Sequence, residues 1–546
     1  MLRERQTPSA RRTTSRAIAL GGSGLLLALA LPAGAATAAP GGNACDNRNN
    51  NTYAKLLECV TLEGVLEHER QLQKIADNST DPDYPDSRAA GTDGYADSVD
   101  YVSGLLEDAG YDVTLTPVEF TYQFPVLLQQ LTPATASYES ATFTGSGGGD
   151  VTGPVIPVDI NLTGDRASTS GCEAGDFTGL DFSGPSDIAL VQRGTCNFSL
   201  KVQNAVAAGA EAVVVFNQGN TPDREGLVLG TLDPYVAPVP VVGASFADGS
   251  KLAAAGSTAR VQVRDPETRT DYNVIAELPG RNTGNVVMAG AHLDSVPAGP
   301  GINDNGSGSA ALLETALMMA NTKPENTLRF GWWAAEELGL LGSAAYVDGL
   351  SQAERDRIAL YMNYDMVASP NYVQMVYDSD QTTWEAPVAI PAGSTAIEDL
   401  YESFYTKVGV PYDDAEYSGR SDYEAFILAD IPSGGLFTGA EVVKTEEQAA
   451  IWGGDAGEQF DPCYHEACDT IDNLAEDALD VNSDLIAFAM LTFSYSTESV
   501  NGVPGKKVPG PAFELPAPAG EEGTFREAAG GGGLAHDHVH GHEIVA

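Results

Sequence analysis

At 546 residues the chain exceeds one ordinary domain, which predicts two folded domains with processed or disordered ends. Acidic residues outnumber basic ones 76 to 29, giving a net charge of −47, while 43% hydrophobic residues suffice for a sizeable core. No basic patch survives beyond the first sixteen residues, which argues against nucleic-acid or anionic-membrane binding.

Residues 1–38 read as an export signal: Arg3, Arg5, Arg11, Arg12 and Arg16 form a basic start, 17–31 an apolar centre, and Ala36-Thr37-Ala38 a cleavage site. The Arg11-Arg12 pair points to the twin-arginine route, but the polar residues after it suit the general secretory route; either exports the chain as a secreted protein. No later stretch is long and apolar enough to span a bilayer. Six cysteines suit an oxidising compartment and pair by proximity as Cys45 with Cys59, Cys172 with Cys196, and Cys463 with Cys468. A loop the size of the first would contribute roughly 3 kcal/mol by chain entropy.

From Leu62 the pattern is helical, with Tyr95, Val99, Val102 and Leu106 as an apolar stripe that Ala109-Gly110 ends before a strand at 111–115. Around 130–170, Thr, Ser and Gly alternate with apolar residues, predicting short strands and turns. A strand follows at 187–191, then Val202, Ala205 and Val206 as one helix face with Gly209 as its stop, then a strand at 212–216. From Tyr272, strands at 285–291, 327–335 and 360–367 alternate with helices at 309–320, 397–408 and 473–493. That alternation predicts an α/β sheet with helices on both faces. After 499 the chain is Pro- and Gly-rich and ends in His536, His538, His540 and His542, a tail expected to be disordered that either scavenges zinc or is simply solvated.

Only three of the seven histidines lie outside that tail, and two of them join carboxylates at the ends of apolar runs. Residues 286–291 deliver His292 to a strand's carboxyl end, the edge where open α/β sheets bind ligands. Asp294 can lie beside the imidazole and fix its tautomer. Asp304 follows a Gly/Pro-rich loop and opens a helix, so that taken alone it also reads as a helix cap. Glu336-Glu337 ends an apolar run with two tryptophans, where burial of adjacent carboxylates is costly without a cation. Asp365 closes another apolar run, and His465 sits in the short Cys463–Cys468 loop.

Together these residues have the make-up of a two-metal hydrolytic site. Their carboxylates and imidazoles suit zinc, with manganese or cobalt as substitutes. Two such ions about 3.5–4 Å apart would acidify water and polarise a carbonyl. Gly306-Ser307-Gly308 lacks the glycine spacing and lysine of a nucleotide loop. Asp480 and Asp484, four apart on a predicted helix, repel unless a cation intervenes, which sets a calcium site against a solvated face.

Two resemblances extend this reading. Residues 189–198, with Lys201-Val202, Asn204-Ala205 and Ala208-Gly209-Ala210, resemble the protease-associated domain, a β-rich module inserted into several secreted and vacuolar peptidases. His292-Leu293-Asp294-Ser295, Asn303-Asp304-Asn305-Gly306-Ser307-Gly308, Glu336-Glu337-Leu338-Gly339-Leu340-Leu341-Gly342-Ser343, Asn363-Tyr364-Asp365-Met366 and Cys463-Tyr464-His465 resemble, in this order, the di-zinc aminopeptidases. The type is the secreted bacterial leucyl aminopeptidase and the vacuolar aminopeptidase Y, and the likeness spans 62–497.

The resemblance implies an α/β fold whose mixed central β-sheet is sandwiched by helices. It divides the chain into an N-terminal part of the peptidase domain at 39–129, a protease-associated insertion at 130–271, a catalytic zinc peptidase part at 272–498 and the tail at 499–546. It implies two zinc ions, bridged by Asp304, with His292 and Asp365 completing one site and Glu337 and His465 the other. Glu336 would be the general base, Tyr464 would stabilise the oxyanion, and Arg420, within Ser418-Gly419-Arg420-Ser421-Asp422, would lie near the bound peptide. The implied substrates are peptides and proteins with a free N-terminus, above all an apolar one such as leucine. A glutamate-carboxypeptidase-like peptidase shares the fold but appends a helical dimerisation domain where this chain has its tail. A binding protein of the transferrin-receptor type loses metal ligands, and here all five are kept.

Overall fold

Two threonines cap the first long helices. Thr61 and Thr92 cap the helices Leu62–Asn78 and Asp93–Ala109 by accepting the Gly64 and Tyr95 N–H groups, and Gly110, at φ 94°, closes the second. The structure, a computed structural model, describes Cys45 and residues 47–519; the predicted export segment and the terminal histidines lie outside the described residues. No helix among the described residues is long and apolar enough to cross a membrane. Disulfides join Cys45 to Cys59, Cys172 to Cys196 and Cys463 to Cys468, the pairing expected from proximity.

Strand β1 (Asp112–Tyr122) is followed by seven strands that form a sheet of their own. They are β2 (Leu127–Thr132), β3 (Ala136–Tyr138), β4 (Gly149–Val158), β5 (Ile188–Gln192), β6 (Ala212–Phe216), β7 (Val241–Ala244) and β8 (Thr258–Val263), ordered β3-β2-β8-β4-β5-β6-β7. Every residue of β5 and β6 is buried, as parallel central strands require. The helix Phe198–Ala208 packs beside them and stops at Gly209, where φ is 110°.

The chain then returns through β9 (Glu267–Leu278), antiparallel to β1, and continues as β10 (Asn282–His292), β11 (Asn326–Trp333), β12 (Ile358–Tyr364), β13 (Met375–Tyr377), β14 (Asp413–Ala415) and β15 (Ser433–Phe437). These make a mixed eight-stranded sheet in the order β1-β9-β11-β10-β12-β15-β13-β14, with β11, β10, β12 and β15 parallel at its centre. Strand alternation sends Val287 and Ala289 to one apolar core and Val286 and Met288 to another. Helices Gly308–Met319 and Glu476–Tyr495 fill the first core; Leu341–Gly349 and Tyr423–Leu428 contribute to the second.

Two expectations need correction. The strand foreseen at 327–335 ends at Trp333, because Ala335 takes φ 54° and turns the chain out of the sheet. The stretch after 499 is not disordered throughout: up to 519 it runs over the helices, with Phe513 against Tyr53, Phe404 and Phe488. An aromatic anchor outweighs the local Pro/Gly composition.

Candidate active site

Parallel pairing of β10 with β12 brings two strand ends to one edge of the sheet, His292 at the first and Asp365 one residue past the second. Asp304 reaches the same edge from the turn that opens the helix Gly308–Met319. That turn packs too tightly for side chains. A Cβ on Gly308 would meet the Tyr364 carbonyl oxygen at 2.3 Å, and one on Gly306 would meet Glu69 Oε2 at 2.8 Å. Glu336 and Glu337 follow the Ala335 turn. His465, itself at φ 59°, sits in the six-residue Cys463–Cys468 loop.

Asp304 stands between the two imidazoles. Its Oδ1 lies 3.2 Å from His292 Nε2 and its Oδ2 3.3 Å from His465 Nε2. Asp365 Oδ1 is 3.4 Å from His292 Nε2, and Glu337 Oε2 is 3.0 Å from His465 Nε2. Glu336 Oε2 stands farther off, 4.0 Å from His292 Nε2. Tyr464 stacks its ring on His465 at 3.8 Å, and its phenol oxygen accepts from Arg420 at 3.2 Å. Arg420 also pairs with Glu441 at 2.7 Å.

Asp294 lies beside the His292 imidazole and helps to raise its pKa. Its backbone carbonyl, 3.1 Å away, takes the contact with His292 Nδ1, while its carboxylate stands 3.7 Å off. The carboxylate also accepts the N–H groups of Glu336 and Glu337 at 3.1 and 3.2 Å, because the Ala335 turn points both amides at it.

Electrostatics follow from this packing. Burial opposes ionisation of Asp304, but the two imidazoles outweigh it and hold the carboxyl well below its usual range. Burial opposes a charge on His292, yet Glu336 and Asp365 outweigh it and raise its pKa; His465 is raised to about 10 by Asp304 and Glu337 against its own burial. Burial drives Glu336 well up despite His292, and lifts Glu337 to about 7. Burial, then Asp304 and Glu337, also push the Tyr464 phenol up, so it stays protonated.

The donor set fits metal ions. His292, Glu336 and Asp365 offer ligand atoms within 4.8 Å of one another, as do Asp304, Glu337 and His465. Glu337 Oε1 and Asp365 Oδ1 are buried without a hydrogen-bond partner. Buried carboxylate oxygens in that state call for a cation. The site opens into a cavity of about 360 Å³ lined by all of these residues together with Arg420 and Tyr464.

Residues 273–490 match the model of peptidase family M28, and residues 151–252 match the PA domain. The chain is 45% identical over 462 residues to an aminopeptidase of Pseudomonas aeruginosa, covering 83% of this chain and 84% of that one. This chain belongs to peptidase family M28. It is also 40% identical over 456 residues to a probable leucine aminopeptidase 2 of Aspergillus fumigatus, over 82% of this chain and 86% of that one. Among solved structures, a zinc aminopeptidase from Bacillus subtilis aligns with a TM-score of 0.53 at 25% identity, over 79% of this chain and 94% of that one.

Several residues of this M28 site escaped the sequence reading. Asp469, buried and pushed up to about 7, accepts the N–H groups of Asn303 and Asp304 at 2.8 and 3.0 Å. Ser421 donates to Asp365 Oδ2 at 2.5 Å and accepts from Asn363. Arg88, fully buried, donates to the carbonyls of Leu293, Pro300 and Gly301, tying together both ends of the segment between the His292 and Asp304 loops. Ser421 lies within the quoted Ser418–Asp422 segment, where its role was not read, and Asp469 directly follows Cys468, but nothing in the sequence around Arg88 signals its role.

Two more acidic groups converge, Asp378 with Asp380 and Glu398, and Glu398 with Glu402 and Asp414. Asp480 and Asp484 lie on the helix Glu476–Tyr495, and among the described residues no third His, Cys, Asp or Glu joins them at ligand distance. A calcium site there lacks a third side-chain ligand of these types. Asp484 is instead raised to about 7 by burial and by Asp480.

Proposed function

We propose that this chain is a secreted aminopeptidase that holds two zinc ions and hydrolyses the first peptide bond of substrates with a free N-terminus, favouring apolar residues such as leucine. The observation that carries this reading is Asp304, whose two carboxylate oxygens each face a different imidazole. Asp304 would bridge the ions, His292 and Asp365 would complete one site, and Glu337 and His465 the other. When bound, the zinc ions supply Lewis acidity that acidifies water and polarises a carbonyl.

The chain's own residues do the rest. Glu336 has the role of proton carrier: its carboxylate takes the proton of the attacking water and returns it to the leaving amine. Tyr464 accepts from Arg420 and so keeps its own proton to donate to the developing oxyanion, a contribution of about 3 kcal/mol. The surrounding carboxylates hold the substrate's free ammonium, which selects an N-terminus. Leucine preference is supported by the naming of the fungal relative. Export is supported by three disulfides, and the signal at 1–38 would direct it by the general secretory or twin-arginine route.

The test is to count zinc in the purified chain and to compare leucine p-nitroanilide with its N-acetylated form, before and after chelation. About two zinc ions with cleavage of the free-amine substrate alone, lost on chelation, is the expected result. Cleavage of the acetylated form as well would overturn the aminopeptidase reading.

A further inference from the structure

A second cavity lies on the other side of the metal-binding residues. In the sheet order β1-β9-β11-β10-β12-β15-β13-β14, the apolar depth of the large cavity belongs to β13 and β15, with Met375, Tyr377 and Phe437, on the Asp365 side of β10. The second cavity, of about 80 Å³, belongs to the opposite side: Tyr122 closes β1, and Glu337 and Leu338 follow β11. Glu337 borders both cavities. The floor of the second is buried at Ala89, Ala90 and Tyr122, and its rim is exposed at Gln123, Pro297 and Leu338.

Beyond Glu337, whose free oxygen calls for a metal ion, one buried polar group in this cavity is unaccounted for. The Asp294 carboxylate accepts two amides, Ser295 Oγ donates towards the Val296 and Gly299 carbonyls, and the Tyr84 hydroxyl donates to the Gln123 carbonyl. The Tyr122 hydroxyl is buried and has no hydrogen-bond partner among the described residues. Arg269, 3.4 Å over its ring, and Tyr84, packed edge-on at 5.6 Å, fix the ring in place. Burial, then Asp81, push the phenol up, so it keeps a proton to donate.

We infer that this second cavity receives the side chain of the substrate's second residue, and that Tyr122 selects there a neutral side chain ending in a hydrogen-bond acceptor, such as glutamine. This rests on the aminopeptidase reading above. With the first side chain in the apolar depth beyond Asp365, the scissile bond lies over the metal-binding residues, and the chain leaves on the Glu337 side of the sheet edge. At about 10–15 Å³ for each water-sized group, the cavity holds about five to eight of them, enough for a glutamine side chain. Ala89, Ala90 and Leu338 give its methylenes an apolar wall, while its carbonyl accepts from the Tyr122 hydroxyl. Methionine, of similar length, leaves that hydroxyl unpaired, and glutamate sets another anion beside Asp294 and Glu337. Tyr122 stands where the chain leaves the eight-stranded sheet for the seven-stranded one, so the subsite is built at the junction of the two.

The experiment compares kcat/KM of the zinc-loaded full chain on leucyl-glutaminamide and leucyl-methioninamide, with leucine p-nitroanilide as reference. The two second residues match in length, and glutamine alone carries a strong acceptor. Wild type should favour the glutamine substrate by about fivefold or more, and the ratio should fall to about one or below in Tyr122→Phe, which removes only the hydroxyl. A folding defect lowers both rates together and leaves the ratio standing. Equal cleavage by wild type, or faster cleavage of the methionine substrate, would overturn the inference without needing any variant to fold. An unchanged ratio in Tyr122→Phe would overturn it too. Absence of leucine p-nitroanilide cleavage would instead sink the aminopeptidase reading, and this inference with it.

Discussion

Asp304 and Glu398 are both buried carboxylates, 5% and 3% exposed, yet their surroundings drive them in opposite directions. Around Asp304, two imidazoles alternate with the acids and hold its carboxyl ionised against burial. Around Glu398, burial is reinforced by Asp380, Glu402 and Asp378, and the group is pushed up to about 10. Acidity alone therefore makes a protonated carboxyl. Acids interleaved with imidazoles make a ligand set, because each histidine offers a neutral lone pair once an ion replaces the proton.

Breaking the first cluster should have the largest effects. Chelation should abolish hydrolysis of leucine p-nitroanilide and lower Tm, with zinc restoring both, since an ion bound only to the native state stabilises it. Next, Glu336→Gln should lower kcat by about 10³-fold while the zinc count measured by mass spectrometry stays unchanged. Asp469→Asn tests the support of Asp304: replacing an acceptor with an amide opposite two N–H groups should weaken zinc binding by about 10–100-fold in a chelator competition.

The second cluster gives the opposite sign. A carboxyl whose folded pKa is raised from 4.5 to about 10 contributes stability that is fully present below pH 4.5 and is lost as pH climbs towards 10. Glu398→Gln removes that loss and can keep its acceptor oxygen for the Asp380 N–H. Its Tm should match wild type near the acid end and exceed it increasingly above neutrality, as read by thermal melts across pH. A variant that loses stability at every pH would refute the protonated-carboxyl account. The smallest effect belongs to the tail: Phe513→Ala should cost about 1 kcal/mol in urea unfolding, as expected for a half-buried aromatic.

Much of the fold was legible in local pattern. The helix stripe at Tyr95, Val99, Val102 and Leu106, the buried strand at 212–216 and the strand leading to His292 all reappear, because apolar periodicity reports which face is buried. The Glu336 segment was less legible, since the left-handed turn at Ala335 leaves no trace in hydrophobicity. The additional partners of the Asp294 carboxylate were illegible for the same reason: they are amides brought in by that turn.

What the sequence determined by itself was chemical identity: which acids and histidines end apolar runs, and which cysteines neighbour one another. Tertiary structure alone decided which oxygen faces which imidazole, that Arg88 ties the His292 and Asp304 loops, and that Tyr122 and Glu337 border one cavity. The reason is range. Periodicity is set by neighbours a few residues apart, whereas these placements depend on strand order and register between segments far apart in the chain, which exist only once the sheet has closed.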